Sequence, residues 1–289
     1  MNTPALPVEP SQIRHAAEQP IPSSSSTGRR RALWPWLALG GPIGFLGALP
    51  YLLPLFRGAA LAAGQSGKPA PSLVAIVVAQ LVQLALLTTF AAWVGDRLGA
   101  RTGLDAPFVR ALVERRPPAP RFIRELPRAL LLGAAFSLLI LALNHLAAPH
   151  LPEALRNESA RALGANGTAA ALLTGASSAF YGGIVEELLL RWGLLSALVA
   201  LARVLGSRGA VGFWIANLAS AVLFGVGHLP AVHALGIAMS PAVVTYVVLA
   251  NSLAGLVCGW LFFRRGLEPA MVAHGFGDVC LHALALLFS

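Results

Sequence analysis

Val185-Glu186-Glu187-Leu188-Leu189-Leu190-Arg191 places three ionisable side chains in a run that is otherwise lipid-like, from Ala169 to Tyr181 before it and from Leu194 to Leu201 after it. An ionised group at the centre of a membrane helix costs roughly 2.5–3.5 kcal/mol on insertion scales. A chain that keeps three of them together uses them. On a helix Glu186 and Glu187 point about 100° apart, whereas Glu187 and Arg191, four apart, share a face. The reading that follows pairs Glu187 with Arg191 and leaves Glu186 free to face a polar cavity as a base. The competing reading is a structural Glu–Arg clasp between helices, which leaves Glu186 unexplained.

Composition sets the class. The 289 residues are 56% hydrophobic and only 11% charged, with mean hydropathy +0.71; soluble domains run near 25% charged. The expected fold is an all-α polytopic bundle with about seven or eight transmembrane helices. The formal net charge is +9, and of 21 basic residues only Lys68 is a lysine. The arginines cluster between apolar segments, as positive-inside loops do, so the charge points to membrane lipid and not to nucleic acid. Cys258 and Cys280 lie in apolar segments without metal-ligand spacing to each other and read as buried small residues.

Three regions follow. Residues 1–31, polar and rich in Pro and Ser, end in Arg29-Arg30-Arg31 and read as a disordered cytoplasmic tail. Residues 32–167 hold N-terminal transmembrane helices and an arginine-rich loop at 96–128, with a short amphipathic helix expected within 107–127. Residues 168–289 hold the motif-bearing membrane region. Spans are expected near 33–55, 71–95, 129–147, 168–202, 211–229, 241–263 and 269–288, a crossing needing about 20 residues. Pro35, Pro42, Pro50 and Pro54 argue against a straight first helix. The fourth segment is too long for one perpendicular crossing; it is tilted, or broken at Gly182-Gly183. Loop charge places the N-terminus inside an inner (cytoplasmic) membrane. Gly255-xxx-Gly259 reads as a helix-packing face.

Two later segments carry histidines. His228 sits in Phe224-Gly-Val-Gly-His228-Leu-Pro230, with Phe224 one turn before it and placed to pack on its face. His274 and Asp278, four apart, line one helix face, where Asp278 would orient the imidazole or offer an acceptor beside it. His282 extends that face by a turn but lies nearer the segment end. His145, His150 and His233 fall at span ends. A carboxylate and two imidazoles, here Glu186, His228 and His274, hold zinc or hold a water without metal; the residues leave both open.

Glu186-Glu187-xxx-Arg191, Phe224-xxx-His228 and His274-xxx-Asp278, in this order, resemble the three motifs of the CPBP family of intramembrane proteases, also called Abi or CAAX-protease-like, over about residues 168–288. The resemblance implies a helical membrane fold with a conical cavity and peptide-bond hydrolysis by activated water. By motif position it implies Glu186 as base, His228 as its partner, and His274 with Asp278 as the wall that stabilises the oxyanion. Asp278 stands where the family has Asn or Asp. The implied substrate is a membrane-associated peptide or protein. Two other classes fit the composition: a non-catalytic scaffold or bacteriocin-immunity factor of the same fold, which would tolerate Glu186→Gln, and a proton-coupled transporter, which would show inverted repeats.

One expectation strains the others. At 1.5 Å per residue, His228 lies about 25 Å from the inner end of its span and His274 about 8–12 Å from that of its own. Breaks at Gly225, Gly227, Pro230 or Gly275 would reconcile them.

Overall fold

A computed structural model of the chain describes residues 31–65, 72–117, 120–156, 167–207 and 209–285. The tail at 1–30, Lys68, Arg161, Arg208 and residues 286–289 lie outside these. Among the described residues all regular structure is helical: α1 (Trp34–Ala38), α2 (Gly40–Gly47), α3 (Leu49–Gln65), α4 (Leu73–Thr102), α5 (Pro107–Val113), α6 (Pro120–Ala147), α7 (Glu153–Arg156) and α8 (Gly167–Phe180) come first. Two π-helical stretches follow, Tyr181–Glu186 and Leu188–Leu195. Then come α9 (Ser196–Val204), α10 (Gly209–Gly227), α11 (Leu229–Ala234), α12 (Pro241–Arg265) and α13 (Leu267–Ala285).

Length and apolarity qualify four stretches as membrane crossings: Leu73–Thr102, Phe122–His150, Gly209–Ala234 and Pro241–Arg265. A fifth candidate is the proline-rich first segment, whose two halves, Trp34–Gly47 and Leu49–Gly58, meet at a 65° bend. Seven or eight crossings were expected, and the difference has physical causes. The 168–202 segment is divided among α8, the π-helical stretches and α9, so that α8 alone has 14 residues. In α13 the polar side chains of Glu268, His274, Asp278 and His282 dilute the hydropathy. The loop at 96–128 is largely helical too, because α4 runs on to Thr102 and α6 starts at Pro120, with α5 between them.

The exposed row Val74, Val78, Val82, Leu86 and Phe90 along α4 is the lipid-facing stripe expected of a peripheral membrane helix. The inner faces meet through small residues, as membrane helices do when backbones approach closely. A Cβ on Gly255 would lie 3.0 Å from Ala221 Cα, and one on Gly259 would overlap the Asn217 side chain, so the Gly-xxx-Gly face packs α12 on α10. Phe213 stacks on Phe263 at 3.9 Å between ring centroids, and Ser252 Oγ donates to Ala221 O at 3.1 Å, which fixes the pair antiparallel.

α13 sits between α6 and the π-helical region. On one side Ser137 Oγ lies 2.8 Å from Gly133 O and 2.9 Å from Gly277 O, sharing one proton between them. On the other, a Cβ on Gly183 would come within 2.8 Å of Met271 O. The residue pairs 133/273 and 137/277 show that α6 and α13 run the same way. Trp192, 1% exposed, anchors the π-helical region to α4 by donating from Nε1 to Ala92 O at 3.0 Å.

Candidate active site

The chain does not break at Gly182-Gly183. It widens there into π-helix, a form in which backbone bonds reach one residue further and which concentrates at functional sites. This stretch turns the two glutamates to different neighbours. Glu187 is fully buried and lies 3.2 Å from Arg191 Nη1. Glu186 is 16% exposed and faces the two histidines instead.

Each imidazole is oriented through its Nδ1. At the end of α10 the His228 N–H bonds to Gly225 O at 3.2 Å, a tightened turn that frees the Phe224 carbonyl. That carbonyl lies 2.9 Å from His228 Nδ1 and so accepts Nδ1–H. His274 Nδ1 lies 2.7 Å from Glu187 Oε1, and a carboxylate there likewise calls for Nδ1–H. Both Nε2 atoms are therefore presented to Glu186: His228 Nε2 at 3.7 Å from Oε1 and His274 Nε2 at 3.6 Å from Oε2. These gaps exceed direct hydrogen-bond length and suit a bridging water.

Phe224 ties the halves together. Its ring meets His228 edge-on at 4.7 Å and His274 edge-on at 5.6 Å, where stacking on the His228 face was expected. The Arg191 guanidinium lies over the same ring at 4.8 Å. Because Phe224 reaches both imidazoles, His228 and His274 share one site despite their different distances from the helix ends. The chain departs from α-helix at His228 itself, between α10 and α11, whereas α13 runs unbroken through Gly275.

Of the two places its spacing allowed, Asp278 takes the one beside the imidazole and does not hold its Nδ1. It lies 3.9 Å from His274 Nε2, and the imidazole is oriented by Glu187 from the other side. Room for Asp278 comes from Gly182: a Cβ there would fall on Asp278 Oδ2 and within 3.1 Å of His274 Nε2. The sequence flagged Gly182 as a break, and its role as the hole beside the site was missed. Cys258 was also passed over as packing; its Sγ forms a buried trio with Glu187 and His274, ligand atoms within 4.8 Å of one another. His282 lies a turn beyond Asp278 with its ring 6.0 Å from Tyr51. His145, His150 and His233 are exposed.

Two donor sets were tested for a metal. The Glu187–Cys258–His274 trio fits poorly, because Glu187 Oε1 is already taken by Arg191 and by His274 Nδ1–H, which leaves that nitrogen no lone pair for a metal. Glu186 with the two Nε2 atoms has the right chemistry. Its 3.6 and 3.7 Å separations run to different oxygens of the carboxylate, so one ion would draw on both oxygens or require the side chains to close in, ligand atoms of a tetrahedral zinc lying about 3.3 Å apart.

A family model described as type II CAAX prenyl endopeptidase Rce1-like matches residues 168–280, from the start of α8 into α13. No curated protein and no solved structure matches the chain.

Proposed function

From residues 168–280 belonging to the Rce1-like, CAAX-protease-like family of membrane endopeptidases, we propose that this chain hydrolyses a peptide bond of a membrane-associated protein or peptide with water activated by Glu186. The observation that carries the reading is the convergence of two Nε2 atoms on the Glu186 carboxylate across gaps of 3.6 and 3.7 Å. The Glu186 carboxylate and His228 Nε2 are both acceptors and stand too far apart to share a proton directly, so a water between them supplies the hydrogens.

In the proposed cycle Glu186 takes one proton from the water while the His228 Nε2 lone pair accepts the other and holds its direction. The oxygen adds to the scissile carbonyl carbon. His274, charged and steadied by Glu187 at Nδ1, donates Nε2–H to the developing oxyanion. Glu186 then delivers its proton to the departing amine as the C–N bond breaks. Asp278 beside His274 supports the imidazolium. If zinc is used, Glu186, His228 and His274 hold it, and it supplies Lewis acidity at the same carbonyl.

The test is cleavage of tagged membrane peptides by detergent-purified protein, wild type beside Glu186→Gln, with and without a chelator. We expect the variant to lose about 10²–10⁴-fold in rate, the range of a general base, and the wild type to persist in chelator. Loss in chelator, reversed by added zinc, would replace the metal-free cycle. Equal products from both proteins would end the protease reading and return the scaffold and transporter readings.

A further inference from the structure

The segment between α4 and α6 lies outside the matched region, and the proposed chemistry uses none of it. It is nonetheless built tightly. Phe108 on α5 meets Phe122 on α6 with ring centroids 4.8 Å apart. From the other side α13 grips it: Val109 N–H donates to Glu268 Oε1 at 2.9 Å, and Leu267 N–H donates to Asp105 O at 3.1 Å. Its acidic groups turn inward. Asp105 takes the Arg110 fork, with Nε to its two oxygens at 2.8 and 2.9 Å, and Glu268 and Glu125 are only 6% and 8% exposed.

What faces outward is apolar and cationic. Leu112 is 54% and Ile123 70% exposed, and Arg115, Arg116 and Arg124 are exposed around them. Arg116 also pairs with Glu114. The surface sits at a membrane boundary, because the end of α4 that leads into it carries exposed Trp93 with Arg97 over its ring at 5.2 Å, the aromatic-and-arginine pattern of a bilayer interface. Apolar side chains alone would suit any bilayer. Arginines around them, with the carboxylates withdrawn, suit a negative one.

We propose that α5 and the first turns of α6 are a docking surface for an anionic phospholipid leaflet, with Leu112 and Ile123 entering the acyl boundary and Arg115, Arg116 and Arg124 meeting phosphate. Because the same segment holds the first turn of α13, docking also sets the depth of the helix that carries His274 and Asp278.

The test uses the full chain in lipid nanodiscs, with Cys280→Ala and an environment-sensitive fluorophore on Leu112→Cys or Ile123→Cys; Cys258 is buried and stays unlabelled. The probe lipids are phosphatidylglycerol mixed with phosphatidylcholine, or phosphatidylcholine alone, doped with a shallow spin-labelled lipid. We expect quenching at both sites in the anionic discs. It should fall in pure phosphatidylcholine and in about 0.5 M NaCl, where the Debye length is a few ångströms. Replacing each arginine by Gln should weaken partitioning about fivefold. A label at Val78 on the lipid face of α4, quenched alike in every case, verifies the fold. Equal quenching in both lipids overturns the proposal, since it leaves apolar contact without headgroup recognition. Water-exposed emission in both also overturns it and leaves the surface to a soluble protein partner.

Discussion

Gly182 and Gly183 are neighbours, yet a methyl group on each meets a different obstacle. At Gly182 it meets side chains, Asp278 Oδ2 and His274 Nε2; at Gly183 it meets backbone, Met271 O at 2.8 Å. Side chains at a reaction centre move at the expense of geometry, while backbone moves at the expense of packing. Gly182→Ala should therefore lower kcat/KM by about 10²-fold, the cost of a 1 Å misplacement, with little change in thermal unfolding. Gly183→Ala should cost about 1–3 kcal/mol of stability by forcing α13 away. Thermal melts in detergent beside peptide cleavage separate the two; the reverse pattern would remove Gly182 from the site.

The π-helical stretch decides which groups the two glutamates face. Arg191 and Glu187 are buried together, and Arg191 Nη1 and Nη2 and Glu187 Oε2 make no hydrogen bond among the described residues. Removing one partner strands the other charge. Arg191→Met should destabilise by about 3–5 kcal/mol, whereas Glu187→Leu with Arg191→Met should recover most of that loss, as buried pairs often do when replaced by apolar residues. The double variant should stay inactive, because His274 then lacks its Nδ1 acceptor. Recovered cleavage would show that Glu187 only neutralises Arg191. At this scale the sequence was partly legible. The spacing of Glu187 and Arg191 and the cost of intramembrane charge were enough to separate the neighbours of the two glutamates. The π-helix was not legible, because a segment apolar on every side has no stripe from which to measure a period. The Glu187–His274 bond spans 87 residues, and no local pattern reports it.

Across the molecule, the directions of the helices make a claim about sides. α13 begins beside Asp105 and α5, at the arginine-rich end, and its 19 residues extend about 28 Å at 1.5 Å each, close to a bilayer's apolar thickness. A cysteine placed at Arg116 and one placed at Ala285 should therefore react with an impermeant thiol reagent from opposite faces of sealed vesicles. Reaction from one face would mean that α13 does not cross. The bundle class was evident from composition, and the bend of the first segment from its prolines. The number of crossings was less evident, because a helix that carries a site toward the interior loses the uniform apolarity by which a crossing is counted.

α12 and α13 are joined by one residue, Gly266, whose φ of 104° turns the chain back. Consider the order in which a ribosome makes this protein. Glu186 and His228 are made before His274, and until α13 follows, the slot between Gly133 and Gly183 has no occupant. The Gly266 joint delivers α13 into that slot as the second arm of a hairpin. Until it arrives, the oriented imidazole and the carboxylate beside it do not exist. A chain that stops at Gly266 therefore holds Glu186 and His228 without the imidazole that Glu187 orients.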